Sequence, residues 1–450
     1  MANSATGRRA STRATILLLL GAILLPNVAF FALSAVLALP HRLCAICLYA
    51  AVALLCGRAR TGVVVGLWLA ALVCDVFLLV TSMFVLDLAA VAGWLRMLPH
   101  LDLLASHFYA AMLAGLAAVT MLNLSFMCWS GPAMARGSRA ALSAALVLVA
   151  AADVARAGGA LPDFARWTGS EPMFESGVEQ SGFVEVVREP DRRRHVLLVL
   201  VESFGRLRDP DHHALLMAPF ADAALRRGFA VRTGTTAFAG STAQGEMREL
   251  CLTREPYRAL LTGARPSCLP AAFAARGFRT VSVHGFSKAF YERSAWYPLI
   301  GFMRSEFQES LQLTRARRCG STFAGPCDVD LAEMIRVRMR SAAEPVFVYW
   351  LTLNSHVPVK PGQATRRFDC ETGGPFGDAE VCSMAEIWID LFEAVKRIAA
   401  DLPQAEILLV GDHAPPLWRR SARELFEPDR VPWIRLSPRP GGALTAQADP

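Results

Sequence analysis

The sequence predicts two parts of different kinds: a bundle of about five transmembrane helices over residues 1–157, and an α/β domain with a mostly parallel central sheet over 195–450, joined by a connecting arm at 158–194. Three observations carry this reading. The 450-residue chain is 54% apolar and 19% charged, with mean hydropathy +0.35, which excludes a purely cytosolic enzyme. Charge is split unevenly: residues 1–157 hold ten Arg and four Asp with neither Lys nor Glu, whereas the other 293 residues hold 36 basic and 35 acidic groups. Most of the net charge of +7 therefore lies among apolar runs, where it reports membrane topology rather than nucleic-acid binding. Beyond residue 195, Val- and Leu-rich runs alternate with helical stretches, the pattern of a parallel sheet with covering helices.

Five apolar segments lie at 14–37, 42–57, 61–86, 102–129 and 138–155. A crossing helix needs about 20 residues, so the first, third and fourth suffice and the second and fifth are short. Arg8, Arg9 and Arg13 precede the first segment, Arg58 and Arg60 separate the second from the third, and Arg136 and Arg139 separate the fourth from the fifth. If all five cross, these clusters share the cytoplasmic side and only Arg42 and Arg96 flank the spans on the other, which puts everything after 157 outside. The first segment runs past Pro26 and Asn27 without a cleavage pattern, so it reads as a span and not as a signal peptide. Asp75, near the middle of the third segment, marks either a structural pair or a lipid-handling group; Asp87, Asp102 and His107 are expected at the outer interface.

Cysteine usage changes at the same boundary. Cys44, Cys47, Cys56, Cys74 and Cys128 belong to the apolar part, whereas Cys251, Cys268, Cys319, Cys327, Cys370 and Cys382 form an even set in the outer part. Six cysteines allow fifteen connectivities. Sequence neighbours give the simplest, 251–268, 319–327 and 370–382, in an oxidising compartment.

The outer domain starts with HVLLVLV (195–201), a continuous apolar run expected of a strand buried on both faces. A helix at 212–227 and a strand at 229–233 follow; then helix 270–276 leads to strand 278–284, helix 329–342 to strand 346–353, and helix 383–400 to strand 406–413. Chemistry in such sheets gathers beyond the carboxyl ends of strands. There the sequence places Glu202, His284, His356, and Asp412 with His413. Each alone is an ordinary cap or turn residue; together two carboxylates and an imidazole suit Zn²⁺ or Mn²⁺. Around 233–250, TGTTAFAGSTAQGEMREL offers hydroxyls at a helix start, where Ser241 or Thr242 serves either as an N-cap or as a metal-activated nucleophile.

These residues carry a resemblance. The segments LVLVESFG, TAQGE, LNSHVP and LLVGDH, in this order after five apolar segments, resemble the membrane-anchored branch of the alkaline phosphatase/sulfatase superfamily, which contains lipoteichoic acid synthases and lipid A phosphoethanolamine transferases. The resemblance spans about 195–437 and implies an α/β/α catalytic domain outside the bacterial cytoplasmic (inner) membrane. It implies that Glu202, Thr242, Asp412 and His413 bind the metal, with Thr242 as nucleophile and Ser241 as its neighbouring fallback. It further implies that His356 contacts substrate and that VHGFSKAFYERSAWYPLIGF places His284 and Arg293 in the phosphate and headgroup pocket. The HGFSK…ER segment is similar to the phosphoglycerol-transferring synthases, whereas the paired outer cysteines are similar to the phosphoethanolamine transferases. A sulfatase C/S-x-P-x-R nucleophile sequence is absent around Thr242, and PSCLP at 266–270 lacks the Arg. The implied reaction is transfer of a phospholipid headgroup phosphate, phosphoethanolamine or phosphoglycerol, through a phosphothreonine to an envelope glycan or glycolipid, with no nucleic acid and no obligate protein partner. A hydrolase using water as acceptor and a non-catalytic envelope scaffold are the alternatives.

Overall fold

A computed structural model describes residues 2–83, 98–157, 174–188, 194–311 and 316–439. It divides into two compact units, Met1–Leu86 with His107–Glu171 and Trp418–Arg420, and Asp87–Ser106 with Pro172–Leu417 and Ser421–Pro450.

Among its described residues the first unit holds five apolar helices. Three described ones, α1 (Ser11–Leu33), α3 (Thr61–Met83) and α4 (His107–Met134), are long and apolar enough to cross a membrane. The expectation of five spans is met by length and composition only in these three. The second segment forms α2 (Leu43–Leu55), whose 13 residues rise about 20 Å against the roughly 30 Å of a hydrocarbon core. The fifth forms α5 (Arg139–Arg156), which carries Arg139, Asp153 and Arg156. Within α1 a π-helical turn at Leu20–Leu24 precedes Pro26, which has no N–H to offer the ladder.

Asp75 in α3 is a structural partner. Arg42 donates Nε to its Oδ1 at 2.8 Å and a second guanidinium N–H to its Oδ2, and the Tyr49 hydroxyl adds a bond of 3.1 Å. Arg42, expected in an outer loop, is buried and also reaches Asn27 Oδ1 at 3.2 Å. Asp102 caps a short turn by accepting from the Ala105 N–H at 3.0 Å, and His107 opens α4. Asp87, Arg96 and most of the arm lie outside the described residues.

The second unit is built on a seven-stranded sheet. Its strands are β1 (Val196–Val201), β2 (Phe229–Ala237), β3 (Arg279–His284), β4 (Arg304–Glu306), β7 (Val346–Leu351), β8 (Glu406–Gly411) and β9 (Arg430–Pro438), in the order β2-β9-β8-β1-β7-β3-β4. A separate ribbon pairs β5 (Arg318–Cys319) with β6 (Gly325–Pro326). Five neighbours, β8, β1, β7, β3 and β4, run parallel, and β9 alone is antiparallel to both its partners. The six-residue runs of β1, β7 and β8 are wholly buried because both faces are covered. Leu197, Val199 and Val201 point into a core shared with α8 (Asp328–Ser341) and α9 (Ala379–Asp401). Val196, Leu198 and Leu200 alternate into the opposite core with Ala243, Met247 and Leu250 of α7 (Thr242–Cys251). A short helix, α6 (Gly177–Gln180), precedes the sheet.

Two sequence expectations are corrected. The helix read at 212–227 is broken into Pro210–Met217, a tight turn Ala218–Ala221 and Ala223–Gly228, because Pro219 removes a ladder donor and Asp222 restarts the helix by accepting from the Leu225 N–H at 2.9 Å. Strands β4 and β9 were not expected; β4 has three residues, and β9 carries Pro432 and Pro438. Disulfides join Cys251–Cys268, Cys319–Cys327 and Cys370–Cys382, with Cα separations of 4.0, 4.9 and 5.3 Å.

Candidate active site

Strands β8, β1, β7 and β3 are adjacent and parallel, so their carboxyl ends share one edge of the sheet. Glu202 follows β1, Asp412 and His413 follow β8, His284 ends β3, and His356 lies in the loop after β7. Thr242, at the start of α7, meets the first of these groups: its Oγ lies 3.4 Å from Glu202 Oε2 and 3.3 Å from His413 Nε2.

The two carboxylates are held by a strained turn. Ser203, with φ +55°, occupies a left-handed conformation unusual for a non-glycine residue. In that pose its N–H donates to Asp412 Oδ1 at 2.7 Å and its hydroxyl to Glu202 Oε1 at 2.8 Å. The His413 N–H gives Asp412 Oδ1 a second bond of 2.7 Å, whereas Asp412 Oδ2 is buried without a hydrogen-bond partner. His413 Nδ1 donates to the Ala414 carbonyl at 3.0 Å, which directs the Nε2 lone pair to the site, 3.3 Å from Asp412 Oδ2 and 3.8 Å from Glu202 Oε1. Burial, and then the neighbouring Asp412, push Glu202 well above the usual carboxylate range.

One donor atom each from Glu202, Asp412 and His413 lie within 4.8 Å of one another. Two hard oxygens and an imidazole, with the Thr242 hydroxyl beside them, fit a divalent cation of the Zn²⁺ or Mn²⁺ kind. The bare Asp412 Oδ2 is the observation that makes the fit specific, since a buried anionic oxygen without a donor is costly unless a positive charge faces it.

Ser241 and Thr242 are distinguished by their partners. Gln244 Oε1 accepts from both the Ser241 N–H at 3.1 Å and its hydroxyl at 2.5 Å, committing Ser241 to the helix start. Thr242 faces the carboxylates instead.

Glu202, Thr242, His284, Arg293 and His356 line one small pocket of about 40 Å³, whose remaining wall is Phe286, Phe290, Tyr291, Phe323, Leu351 and Leu353. His284 Nδ1 donates to the Leu351 carbonyl at 3.1 Å and His356 Nδ1 to the Val357 carbonyl at 2.8 Å. With His413 this makes three imidazoles whose Nδ1 is occupied by backbone and whose Nε2 remains a base. Burial keeps the pocket pair neutral: His284 is pushed well below its ordinary value, with Arg293 adding to the effect, and His356 is pushed down to about 4. Arg293, 1% exposed, is held by Glu246 at 3.0 Å, and Glu246 also accepts from the Tyr297 hydroxyl and, at 3.2 Å, from that of Tyr349.

The sulfatase family model matches residues 194–421, half of the chain. The chain belongs to the sulfatase family. Among curated proteins no sequence matches it significantly. Solved structures similar to this sulfatase-family chain include a phosphoglycerol transferase from Streptococcus pyogenes in complex with sn-glycerol-1-phosphate, at 16% identity and TM-score 0.41, covering 57% of this chain and 73% of that one. A lipoteichoic acid synthase from Listeria monocytogenes is similar at 14% identity and TM-score 0.41 over 57% and 71% of the two chains. An integral-membrane lipooligosaccharide phosphoethanolamine transferase from Neisseria meningitidis is similar at 13% identity and TM-score 0.41 over 74% and 68%.

Within the sulfatase domain, sequence reasoning missed what the rest of TAQGE does. Gly245 lies against the strand end: a Cβ there would meet Asp412 Cβ at 3.1 Å and its carbonyl oxygen at 3.2 Å. Glu246 carries Arg293. The aromatic wall was also missed, although Phe286, Phe290 and Tyr291 stand in the same segment as His284 and Arg293.

Proposed function

We propose that this sulfatase-family protein transfers the headgroup phosphate of a membrane phospholipid, through a phosphothreonine at Thr242, to a hydroxyl of an envelope glycan or glycolipid. The observation that carries the reading is the convergence of the Thr242 hydroxyl with Glu202 and His413 while its neighbour Ser241 is committed to Gln244. Glu202, Asp412 and His413, with Thr242, would hold a Zn²⁺ or Mn²⁺ ion. When bound, that ion would lower the pKa of the hydroxyl and offset the negative charge on the transferring phosphoryl group.

In the first step the Thr242 Oγ–P bond forms and the P–O bond to diacylglycerol breaks. In the second, the acceptor oxygen bonds to phosphorus and Thr242 Oγ departs. Each step moves one proton from the attacking hydroxyl to the departing oxygen, a transfer assigned here to the lone pair of His356 Nε2 in the same pocket. Arg293, oriented by Glu246, supplies a fixed positive charge for the phosphoryl oxygens. His284 presents its Nε2 to the same pocket.

The proposal includes five membrane crossings, with residues 1–157 in the bacterial inner membrane and the catalytic domain on the periplasmic side. Confining enzyme and lipid donor to one plane then replaces a soluble activated donor. The test is mass spectrometry of the Thr242 peptide after incubation of the metal-loaded protein with phospholipid vesicles. A headgroup-phosphate adduct is expected on wild type and Ser241→Ala and none on Thr242→Ala. An adduct that persists in Thr242→Ala and disappears in Ser241→Ala would move the nucleophile by one residue, and none in any variant would refute the covalent path.

A further inference from the structure

Aromatic rings line the pocket beside its polar groups: Phe323 lies 3.8 Å from the His356 ring, and the Arg293 guanidinium sits 5.1 Å over the Tyr291 ring. The rings of Phe286 and Phe290 are 5.2 Å apart at 82°, those of Phe290 and Phe323 are 5.6 Å apart at 85°, and those of Phe286 and Phe323 are 5.6 Å apart at 52°. Three mutually steep rings make a corner, and the Tyr291 ring stands 4.9 Å from Phe290 at 79°. Tyr291 and Glu292 adopt φ +54° and +53°, two successive left-handed non-glycine residues of the kind that persists where surroundings fix a side chain for a purpose.

We propose that this corner receives a quaternary ammonium, so that the headgroup transferred is phosphocholine. The inference rests on the phosphotransfer reading above and names its donor. Glycerol would turn two hydroxyls toward phenyl rings and lose their hydration without replacement. A primary ammonium carries three N–H donors. Among the described residues lining the pocket, Glu202 is the sole carboxylate and belongs to the metal set, which leaves the Nε2 atoms of His284 and His356 as two neutral acceptors. The Tyr291 hydroxyl is engaged with Ser241. A trimethylammonium needs no hydrogen bond, and its diffuse charge is attracted by ring faces. The pocket then reads in sequence: Arg293 and the metal set for the phosphate, the aromatic corner for the cation.

The test uses the full chain in nanodiscs with Mn²⁺, supplied separately with phosphatidylcholine, phosphatidylethanolamine and phosphatidylglycerol. The readout is the mass of the adduct on the Thr242 peptide. Phosphatidylcholine is expected to label roughly tenfold faster than either rival, the scale of a desolvated cation–π site. Faster labelling by phosphatidylethanolamine or phosphatidylglycerol overturns the headgroup assignment and leaves phosphotransfer standing. Absence of label from every donor overturns phosphotransfer instead, and the corner is then judged by equilibrium binding to Thr242→Ala. Tighter binding of phosphocholine than of phosphoethanolamine or glycerol 1-phosphate supports it, and no preference refutes it. Phe286→Asp is expected to shift the preference toward the primary ammonium. Should that variant fail to fold, the half-buried Phe323→Leu is expected to lose the choline preference, and an unchanged preference there counts against the corner.

Discussion

At Gly245 a single methyl group decides how closely the helix that begins at Thr242 meets the strand end at Asp412. Alanine is the better helix former by roughly 0.5–1 kcal/mol. Its Cβ, however, would press on Asp412 at 3.1–3.2 Å and displace one element by a few tenths of an ångström. Gly245→Ala is therefore expected to keep or gain thermal stability while losing roughly tenfold or more in turnover, since small misplacements of reacting groups are costly. A weakened metal titration in the same variant places the damage at Asp412. His356 gives a signed pH effect. Its folded pKa, about 4, lies below the ordinary 6.5, so the unfolded chain binds the proton more readily between those values. Stability from this residue is then intact above pH 6.5 and declines as pH falls toward 4, by at most about 1.4 kcal/mol per unit. Melting curves at pH 7 and 5 should converge for His356→Gln relative to wild type. At this scale the sequence reveals the chemistry-bearing letters, Glu202, Thr242, Asp412 and His413. It hides their holders, because Glu246 and Arg293 are separated by 47 residues and Gly245 meets Asp412 only once the chain has folded.

At the scale of elements, α7 assembles the site from several directions. Beyond Thr242 and Glu246, its Arg248 donates to the Gly411 carbonyl at 2.7 Å and the Asp412 carbonyl at 3.1 Å, fixing the end of β8. Glu246→Gln would leave the Arg293 guanidinium buried without its counter-charge. The expected loss is about 3–5 kcal/mol, the scale for breaking one partner out of a buried ion pair. Denaturant titration of the variant measures it, and a loss below 1 kcal/mol would mean that solvent or another group compensates Arg293. Elements differ in how plainly the chain announces them. β1, β7 and β8 are legible because strands covered on both faces need unbroken apolar runs, and α9 is legible from its apolar stripe behind the Asp378 cap. β9 is hidden because its buried positions include Arg435, which ion-pairs with Glu406 at 2.5 Å, and because prolines break its pattern.

For the molecule as a whole, charge partition and hydropathy announce two parts, but the number of crossings is less legible than their existence. α2 is short, and α5 carries Arg139 besides a local pair, Arg156 with Asp153 at 2.7 Å, charges that composition alone scores against a span. The start of the second part is equally hard to read, because its first anchoring contact is polar. Glu249, fully buried on α7, accepts from the Ser176 hydroxyl at 2.9 Å and from the N–H groups of Gly177 and Val178 at 3.1 and 2.9 Å. Anyone excising a soluble catalytic fragment therefore meets a hidden seam some twenty residues before β1. A fragment opened at residue 174 keeps this cap on Glu249. One opened at 194, where the family match begins, strips the carboxylate of three donors and is expected to unfold with at least about 1.5–3 kcal/mol less resistance, the cost of losing a hydrogen bond to a buried charge. Comparing the two fragments in urea puts a number on the seam. A shorter fragment of equal stability would mean that water replaces the cap, whereas a weakened one would make Glu249 the marker from which the foldable piece of this enzyme must be cut.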